Sequence, residues 1–197
     1  MSKIAIVGSG YVGLTTGACF ASLGHEVVCA DVDRDKVERL SRGEIPILEN
    51  GLPELVRGGL DGKRLSFVLG AAAAAEGAEF AYLCVPTPQS ANGSADLSYI
   101  RAAAEEIGGV LPPESIVVNK STVPVGSARV VEDALGRDDI AVVSNPEFLR
   151  EGSAVHDFLN PDRIVIGAAD PAAAARVALL FTAIKAPVIV TDPASAE

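Results

Sequence analysis

The sequence predicts an α/β fold, a doubly wound and mostly parallel sheet with helices on both faces. Three observations predict it. Short β-branched runs alternate with helical stretches along all 197 residues. Nearly half the residues are apolar (49%) but few are aromatic (5%), so Ala, Val, Leu and Ile must fill the interior. That is the composition of strands buried on both faces by crossover helices. Finally, the first strand runs straight into a glycine-rich turn that opens a helix.

The elements follow in order. Strands are expected at Lys3–Val7, Glu26–Asp31, Leu65–Leu69, Phe80–Val85, Ser115–Asn119, Ala141–Ser144, Arg163–Ile166 and Pro187–Val190. Asp33 is placed to cap a helix beginning near Arg34, and Asp96 to cap one at Leu97. Ala71–Ala75 reads as a short surface helix, since alanine is the best helix former. Leu97, Ile100, Ala104, Ile107 and Leu111 form an apolar stripe with Glu105 and Glu106 opposite. Pro112-Pro113 should end that helix, because proline disfavours the α region in the residue before it. Val177, Leu180, Phe181 and Ile184 mark a later helix. Such alternation implies right-handed crossovers. Without a repeat or a long linker, residues 1–197 are expected to form one domain, with the segment from about Arg163 closing its sheet.

Charge and cysteine usage exclude several classes. The formal charge is -10, from 16 basic and 26 acidic residues, with no Lys/Arg run, so no nucleic-acid partner is expected. The Ile4–Val7 run is too short for a signal core, and no stretch reaches the roughly 18 apolar residues of a membrane span. Cys19, Cys29 and Cys84 are odd in number and lack CxxC spacing, so neither a metal site nor a disulfide framework is expected and a reducing cytoplasm fits.

The turn after the first strand is Gly8-Ser9-Gly10-Tyr11-Val12-Gly13, a G-x-G-x-x-G sequence. Gly8 allows the tight turn, Gly10 lets a pyrophosphate approach the backbone, and Gly13 lets helix and strand pack closely. Free N–H groups at the helix start favour the phosphates. Asp31 ends the second strand, where an acid bonds the adenine ribose diol. An acid there repels a 2′-phosphate, so NAD is favoured. Asp33 competes for the role, Asp31 could instead be a loop cap, and Arg34 and Lys36 leave NADP open. This is a Rossmann-type dinucleotide site.

Three more segments fall at predicted strand ends, where open parallel sheets bind ligands. They are Cys84-Val85-Pro86-Thr87-Pro88, Lys120-Ser121-Thr122-Val123-Pro124-Val125-Gly126, and Asn145-Pro146-Glu147-Phe148-Leu149-Arg150-Glu151-Gly152. With Gly8–Gly13 they resemble the UDP-glucose/GDP-mannose dehydrogenase family. The resemblance continues through Ser153–Phe158 and Pro161–Gly167, and so covers nearly the whole chain. That family oxidises the C6 alcohol of a nucleotide sugar to a carboxylate with two NAD, through an aldehyde trapped on a cysteine. The resemblance implies NAD contacts at Gly8, Ser9, Gly10, Tyr11, Val12, Gly13, Asp31, Lys36, Val85, Pro86, Thr87, Pro88, Gln89, Ser121, Thr122 and Glu151. It implies sugar-nucleotide contacts along Phe148, Leu149, Arg150 and Glu151. Catalytic roles fall to Thr122, Glu147 and Glu151, with Glu147 moving protons and positioning the hydrolytic water.

Plainer roles stand beside these. Glu147 could pair with Arg150, and Thr122 could cap the helix after Gly126. His25 and His156 read as structural, and Cys19 and Cys29 as small buried hydrophobes. Cys84, near the cofactor, does not match the family nucleophile. The family's cysteine segment, its long central helix with a lysine and an asparagine, and its second Rossmann-like domain are not in this sequence. The chain is therefore expected to be an NAD-binding portion, inactive alone, and a monomer or weak oligomer where the full enzyme is a homodimer. UDP-glucose is the expected substrate. GDP-mannose, UDP-N-acetylmannosamine, a simple hydroxyacid and a non-catalytic NAD module remain alternatives.

Overall fold

The computed structural model describes residues 1–91 and 93–197. Eight strands form one sheet: β1 (Lys3–Val7), β2 (Glu26–Asp31), β3 (Leu65–Leu69), β4 (Phe80–Leu83), β5 (Ile116–Asn119), β6 (Ala141–Ser144), β7 (Ile164–Ala168) and β8 (Val188–Thr191). Their order is β3-β2-β1-β4-β5-β6-β7-β8. The helices are α1 (Tyr11–Ser22), α2 (Arg34–Ser41), α3 (Leu52–Asp61), α4 (Ala71–Ala75), α5 (Ser98–Gly108), α6 (Ser127–Leu135), α7 (Ala154–Leu159), α8 (Pro171–Leu179) and α9 (Pro193–Ala196). The order reverses between β1 and β4, which places a topological switch point at the carboxyl end of β1.

Strands β1 to β6 pair in parallel, but β7 runs antiparallel to β6. The cause is the connection. A parallel crossover must carry the chain back along the sheet, and α7, with six residues, is only about 9 Å long. The 145–163 segment instead stays at the carboxyl end. Strand β7 starts there and meets β6 only through Val143–Ala168 and Ser144–Gly167. The segment expected to hold substrate is thereby kept at the ligand-binding edge.

The sheet separates two cores of different texture. One gathers the aromatics, with Phe20 in ring contact with Tyr82, Phe158, Phe181 and His25. The other is built largely from Ala, Val, Leu and Ile, including Ala5, Ala81, Ala104 and Val131. The alanine run of α4 belongs to this second core. Ala71, Ala74 and Ala75 are buried, so the helix is not the surface feature expected from composition.

Helix boundaries differ in small ways from the expectations. Asp33 does cap α2, accepting from the Lys36 N–H at 3.1 Å. Asp96 accepts from the Ser98 N–H at 2.9 Å, one residue later than expected. Helix α5 ends at Gly108 rather than at Pro112, and Leu111 is buried in the turn that follows. Gly108 lies so close to α6 that a Cβ would sit 2.9 Å from the Leu135 carbonyl oxygen. Helix α8 stops at Leu179, while Leu180, Phe181 and Ile184 continue inward through turns and remain buried.

Candidate functional site

Two of the three fingerprint glycines are sterically required. Gly8 has φ +99°, and a Cβ there would lie 2.7 Å from the Cys84 carbonyl oxygen. A Cβ on Gly13 would lie 1.8 Å from the Gly8 carbonyl oxygen. Gly10 is different, because a Cβ there would meet no atom within 4 Å. Its missing side chain leaves space in a cleft and relieves no clash. That cleft, about 610 Å³, opens at the switch point and is lined by Gly8, Gly10, Tyr11, Val12, Asp31, Lys36, Val85, Pro86, Thr87, Ser121 and Thr122, among others.

Asp31 acts as a loop cap and also borders the cleft. It lines the cleft, and its carboxylate binds the turn: Oδ2 accepts from the Ser9 N–H (3.1 Å) and the Lys36 ammonium (2.6 Å), and Oδ1 from the Asp33 N–H (3.2 Å). Burial pushes its carboxyl up. Lys36 and the two N–H donors outweigh that and hold it below the usual carboxylate value. Ser9 is buried beneath the turn with its hydroxyl on the Ala30 carbonyl. It is a support and does not line the cleft.

The loops after β4 and β5 are tied together. The Ser121 hydroxyl lies 2.8 Å from the Val85 carbonyl, and the Thr87 hydroxyl 2.8 Å from the Thr122 carbonyl. Pro88 and Gln89 lie farther along, where Gln89 bridges to Ala95; they are not among the residues lining the cleft. Sequence reading missed the opposite wall, formed by Val32, Tyr99 and Glu106. Val32 and Tyr99 are exposed apolar side chains outside any motif, so only the fold reveals them. Glu106 accepts from the Ala72 N–H at the start of α4.

Thr122 borders a second, smaller hollow of about 80 Å³ shared with Asn119, Ser144, Glu147 and Glu197. Glu147 does not pair with Arg150; its carboxylate accepts from the Leu149 N–H at 2.7 Å. Arg150 pairs instead with Asp157 at 2.7 Å. The first N–H groups of α6 are taken by Glu197, which accepts from Gly126, Ser127 and Ala128, so Thr122 is not that helix's cap. Asn119 is buried and its amide finds no partner among the described residues. Lys120 is buried as well, 3.3 Å from the Asn145 Oδ1, and burial pushes its ammonium below the usual lysine value. Sequence reading passed over Lys120, although a lysine ending a buried strand is a signal in itself.

Phe148 and Arg150 face a groove of about 400 Å³ with His156 and Arg163, whose guanidinium lies 4.9 Å from the Phe148 ring centroid. Leu149 packs inward, and Glu151 stands exposed near Tyr11. His156 is exposed, so it is not the structural histidine expected. His25 is, with its ring 3.1 Å from the Leu180 carbonyl. All three cysteines are free and buried. Burial pushes the Cys84 and Cys19 thiols up to about 12, and Cys29 higher still. None is poised as a nucleophile.

Residues 2–185 match the model of the UDP-glucose/GDP-mannose dehydrogenase family, NAD binding domain. The chain belongs to this family. UDP-glucose 6-dehydrogenase TuaD of Bacillus subtilis (strain 168) is 47% identical over 202 residues, covering 100% of this chain and 44% of the relative. The structure of a UDP-glucose dehydrogenase from Pyrobaculum islandicum is similar with a TM-score of 0.91 at 42% identity, over 100% of this chain and 47% of that one. A GDP-mannose dehydrogenase from Pseudomonas aeruginosa, solved as a ternary complex, also reaches 0.91, at 34% identity over 98% of this chain and 47% of that one. The chain thus spans about half the length of these relatives. Its cofactor is NAD, as the family's domain implies. The residues present fit that cofactor: Gly10 keeps an approach open to the start of α1, and Asp31 meets the cleft where a ribose diol needs an acceptor. Among the described residues, no helix is long and apolar enough to cross a membrane.

Proposed function

We propose that this chain is the cofactor-binding portion of an NAD-dependent UDP-glucose 6-dehydrogenase, oxidising a nucleotide sugar to its uronate. The observation that carries the reading is the meeting of the Gly8–Gly13 turn with Asp31 in one cleft at the switch point. NAD, when bound, supplies the hydride acceptor. The protein's part is to hold it: N–H groups at the start of α1 take the pyrophosphate, Asp31 takes the adenine ribose, and Val32 and Tyr99 offer apolar surface to the base. Val85, Pro86, Thr87, Ser121 and Thr122 then border the nicotinamide end.

Glu147 and Thr122 line the small hollow beside that end and so carry the proton chemistry. A carboxylate held at one oxygen by the Leu149 N–H keeps its other oxygen free to take a proton from water. Phe148, Leu149, Arg150 and Glu151 lie along the sugar nucleotide. Any covalent step draws its thiolate from outside Cys19, Cys29 and Cys84, so the chain binds NAD without turning over. A reducing cytoplasm suits three free thiols. The chain alone is a monomer or weak oligomer, while the full enzyme is a homodimer. Higher identity to UDP-glucose than to GDP-mannose enzymes, at equal TM-score, supports the choice of sugar.

The test is an NAD titration by calorimetry, beside NADH formation with NAD and UDP-glucose. Binding without turnover is expected. Turnover by this chain would overturn the assignment of its cysteines, and absence of NAD binding would overturn the whole reading.

A further inference from the structure

Glu49 belongs to no motif. It lies between α2 and α3 in a loop that is otherwise largely exposed, yet it is only 6% exposed. It has no ion-pair partner among the described residues. Its charge is met by donors from two distant segments. Oε2 accepts from the Tyr11 hydroxyl (2.5 Å) and the Gly152 N–H (2.8 Å), and Oε1 from the Ala154 N–H (2.9 Å). Next to it, the Asn50 amide donates to the Gly152 carbonyl at 3.2 Å. The Tyr11 hydroxyl also lies 3.0 Å from the Arg150 carbonyl. Burial, then Glu49 itself, raises the Tyr11 phenol well above its ordinary value, so it stays a donor at any working pH.

Tyr11 is the first residue of α1, inside the fingerprint, and it lines the dinucleotide cleft. Gly152 and Ala154 close the segment placed along the sugar nucleotide. One carboxylate therefore joins the turn that holds the cofactor to the loop that holds the substrate. Residues 150–152 are exposed, and Gly152 sits at φ +86°. The segment's other ties, from the Arg150 N–H and guanidinium and the Ser153 hydroxyl to Asp157, run to α7, so Glu49, with the Tyr11 hydroxyl, is what joins it to the cofactor turn.

We propose that Glu49 is a positioning residue that makes the order of the 150–154 segment depend on dinucleotide occupancy. This rests on the NAD reading above. A pyrophosphate on the N–H groups at the start of α1 fixes the Tyr11 backbone. The phenol hydroxyl, seated between Glu49 and the Arg150 carbonyl, carries that constraint to the carboxylate, which holds Gly152 and Ala154. A ligand that must order a loop binds more weakly than one that meets it already ordered, so the two sites are coupled through entropy. The coupled ligand class is a nucleotide sugar.

The experiment is hydrogen exchange of the 197-residue chain with and without saturating NAD, read at the amides of Gly152 and Ala154. In the wild type, NAD slows exchange by about fivefold, the factor of one net hydrogen bond. In Glu49→Gln, which keeps the volume but turns one acceptor into a donor, the NAD-dependent slowing disappears at saturating NAD. Tyr11→Phe keeps both Glu49 backbone bonds and cuts the link, so protection becomes the same with and without NAD. A purely structural Glu49 would shift exchange equally in both states and leave the difference intact. The proposal is overturned if NAD binds without slowing wild-type exchange there, or if the slowing survives in Tyr11→Phe. A wild type that fails to bind NAD, seen separately in the titration, takes down both this proposal and the cofactor reading.

Discussion

Gly10→Ala and Gly13→Ala, two residues of one motif, should fail in opposite ways. At Gly10 a methyl meets nothing within 4 Å, and φ is -71°, which alanine adopts freely. Alanine is a clearly poorer N-cap than glycine but lowers unfolded-state entropy; the two effects, each about 0.5–1 kcal/mol, nearly cancel. The melting temperature should therefore stay within about 2 °C of wild type. The methyl does occupy the line of approach to the first turn of α1. Losing one charge-assisted hydrogen bond to phosphate costs about 1.5–3 kcal/mol, or roughly ten- to a hundredfold in NAD affinity. At Gly13 the methyl would lie 1.8 Å from the Gly8 carbonyl oxygen and 3.0 Å from the Cys84 Cβ. The Gly8 carbonyl is fixed backbone and the Cys84 Cβ a buried side chain, so α1 must move off β1. Overpacking of this kind costs about 3 kcal/mol, or roughly 6–12 °C in a chain of this size. Calorimetric melting and NAD titration of both variants separate the cases. Wild-type NAD affinity in Gly10→Ala would refute the placement of the phosphates, and an unchanged melting temperature in Gly13→Ala would refute the packing argument.

Three further outcomes follow from the same geometry. Asp31→Asn should lower NAD affinity about tenfold and narrow the preference for NAD over NADP, because the charge that repels a 2′-phosphate is gone; parallel titrations with both dinucleotides read this, and an unchanged ratio would move the role to Asp33. Native protein should resist Ellman's reagent near neutral pH and expose three reactive thiols only on denaturation, since burial holds Cys19 and Cys84 at about 12; rapid native labelling would contradict that burial. Asp157 is held well below the usual carboxylate value by the Arg150 side chain, against burial, with the Arg150 N–H and the Ser153 hydroxyl adding to the effect. Its stabilisation is complete above the ordinary carboxylate value near 4 and is lost as pH falls toward its lowered native value. Melting temperature should thus fall more steeply below about pH 4 in the wild type than in Asp157→Asn; identical slopes would count against the Arg150–Asp157 pair.

The strands were legible because a parallel sheet writes itself as apolar runs, and β1 to β8 all lie close to their expected positions. The antiparallel β7 was not, because direction depends on how far the 145–163 segment can travel, and no periodicity records that. The candidate cofactor cleft was legible in sequence where the backbone forces a residue type. Gly8 and Gly13 are forced by backbone contact, and Asp31 by its position at a strand end. Val32 and Tyr99 were not legible, since an exposed apolar side chain looks the same in sequence whether it meets solvent or a base. Ion pairing misled in a similar way. Arg150 is three residues from Glu147, but its carboxylate partner lies seven residues on, at the start of α7.

Glu49 shows why the remaining part of the site stays hidden. An acid in a polar loop has no sequence signature, because the groups that need it are 38 and 103 residues away at Tyr11 and Gly152. Its burial is decided by three donors, not by its neighbours in the chain. The same holds for Glu197, whose carboxylate reaches back 69 to 71 residues to the start of α6. In both places a carboxylate satisfies N–H groups at the start of a helix beside a proposed ligand loop. Helix starts are where a Rossmann-type sheet binds anions, so those that must not compete for phosphate need an internal anion. The start of α1 is left open to the cleft, whereas α6 and α7 are filled by Glu197 and Glu49. Of these three helix starts, that of α1 has no side-chain cap and opens on the cleft, which supports the proposed placement of the dinucleotide at Gly8–Gly13.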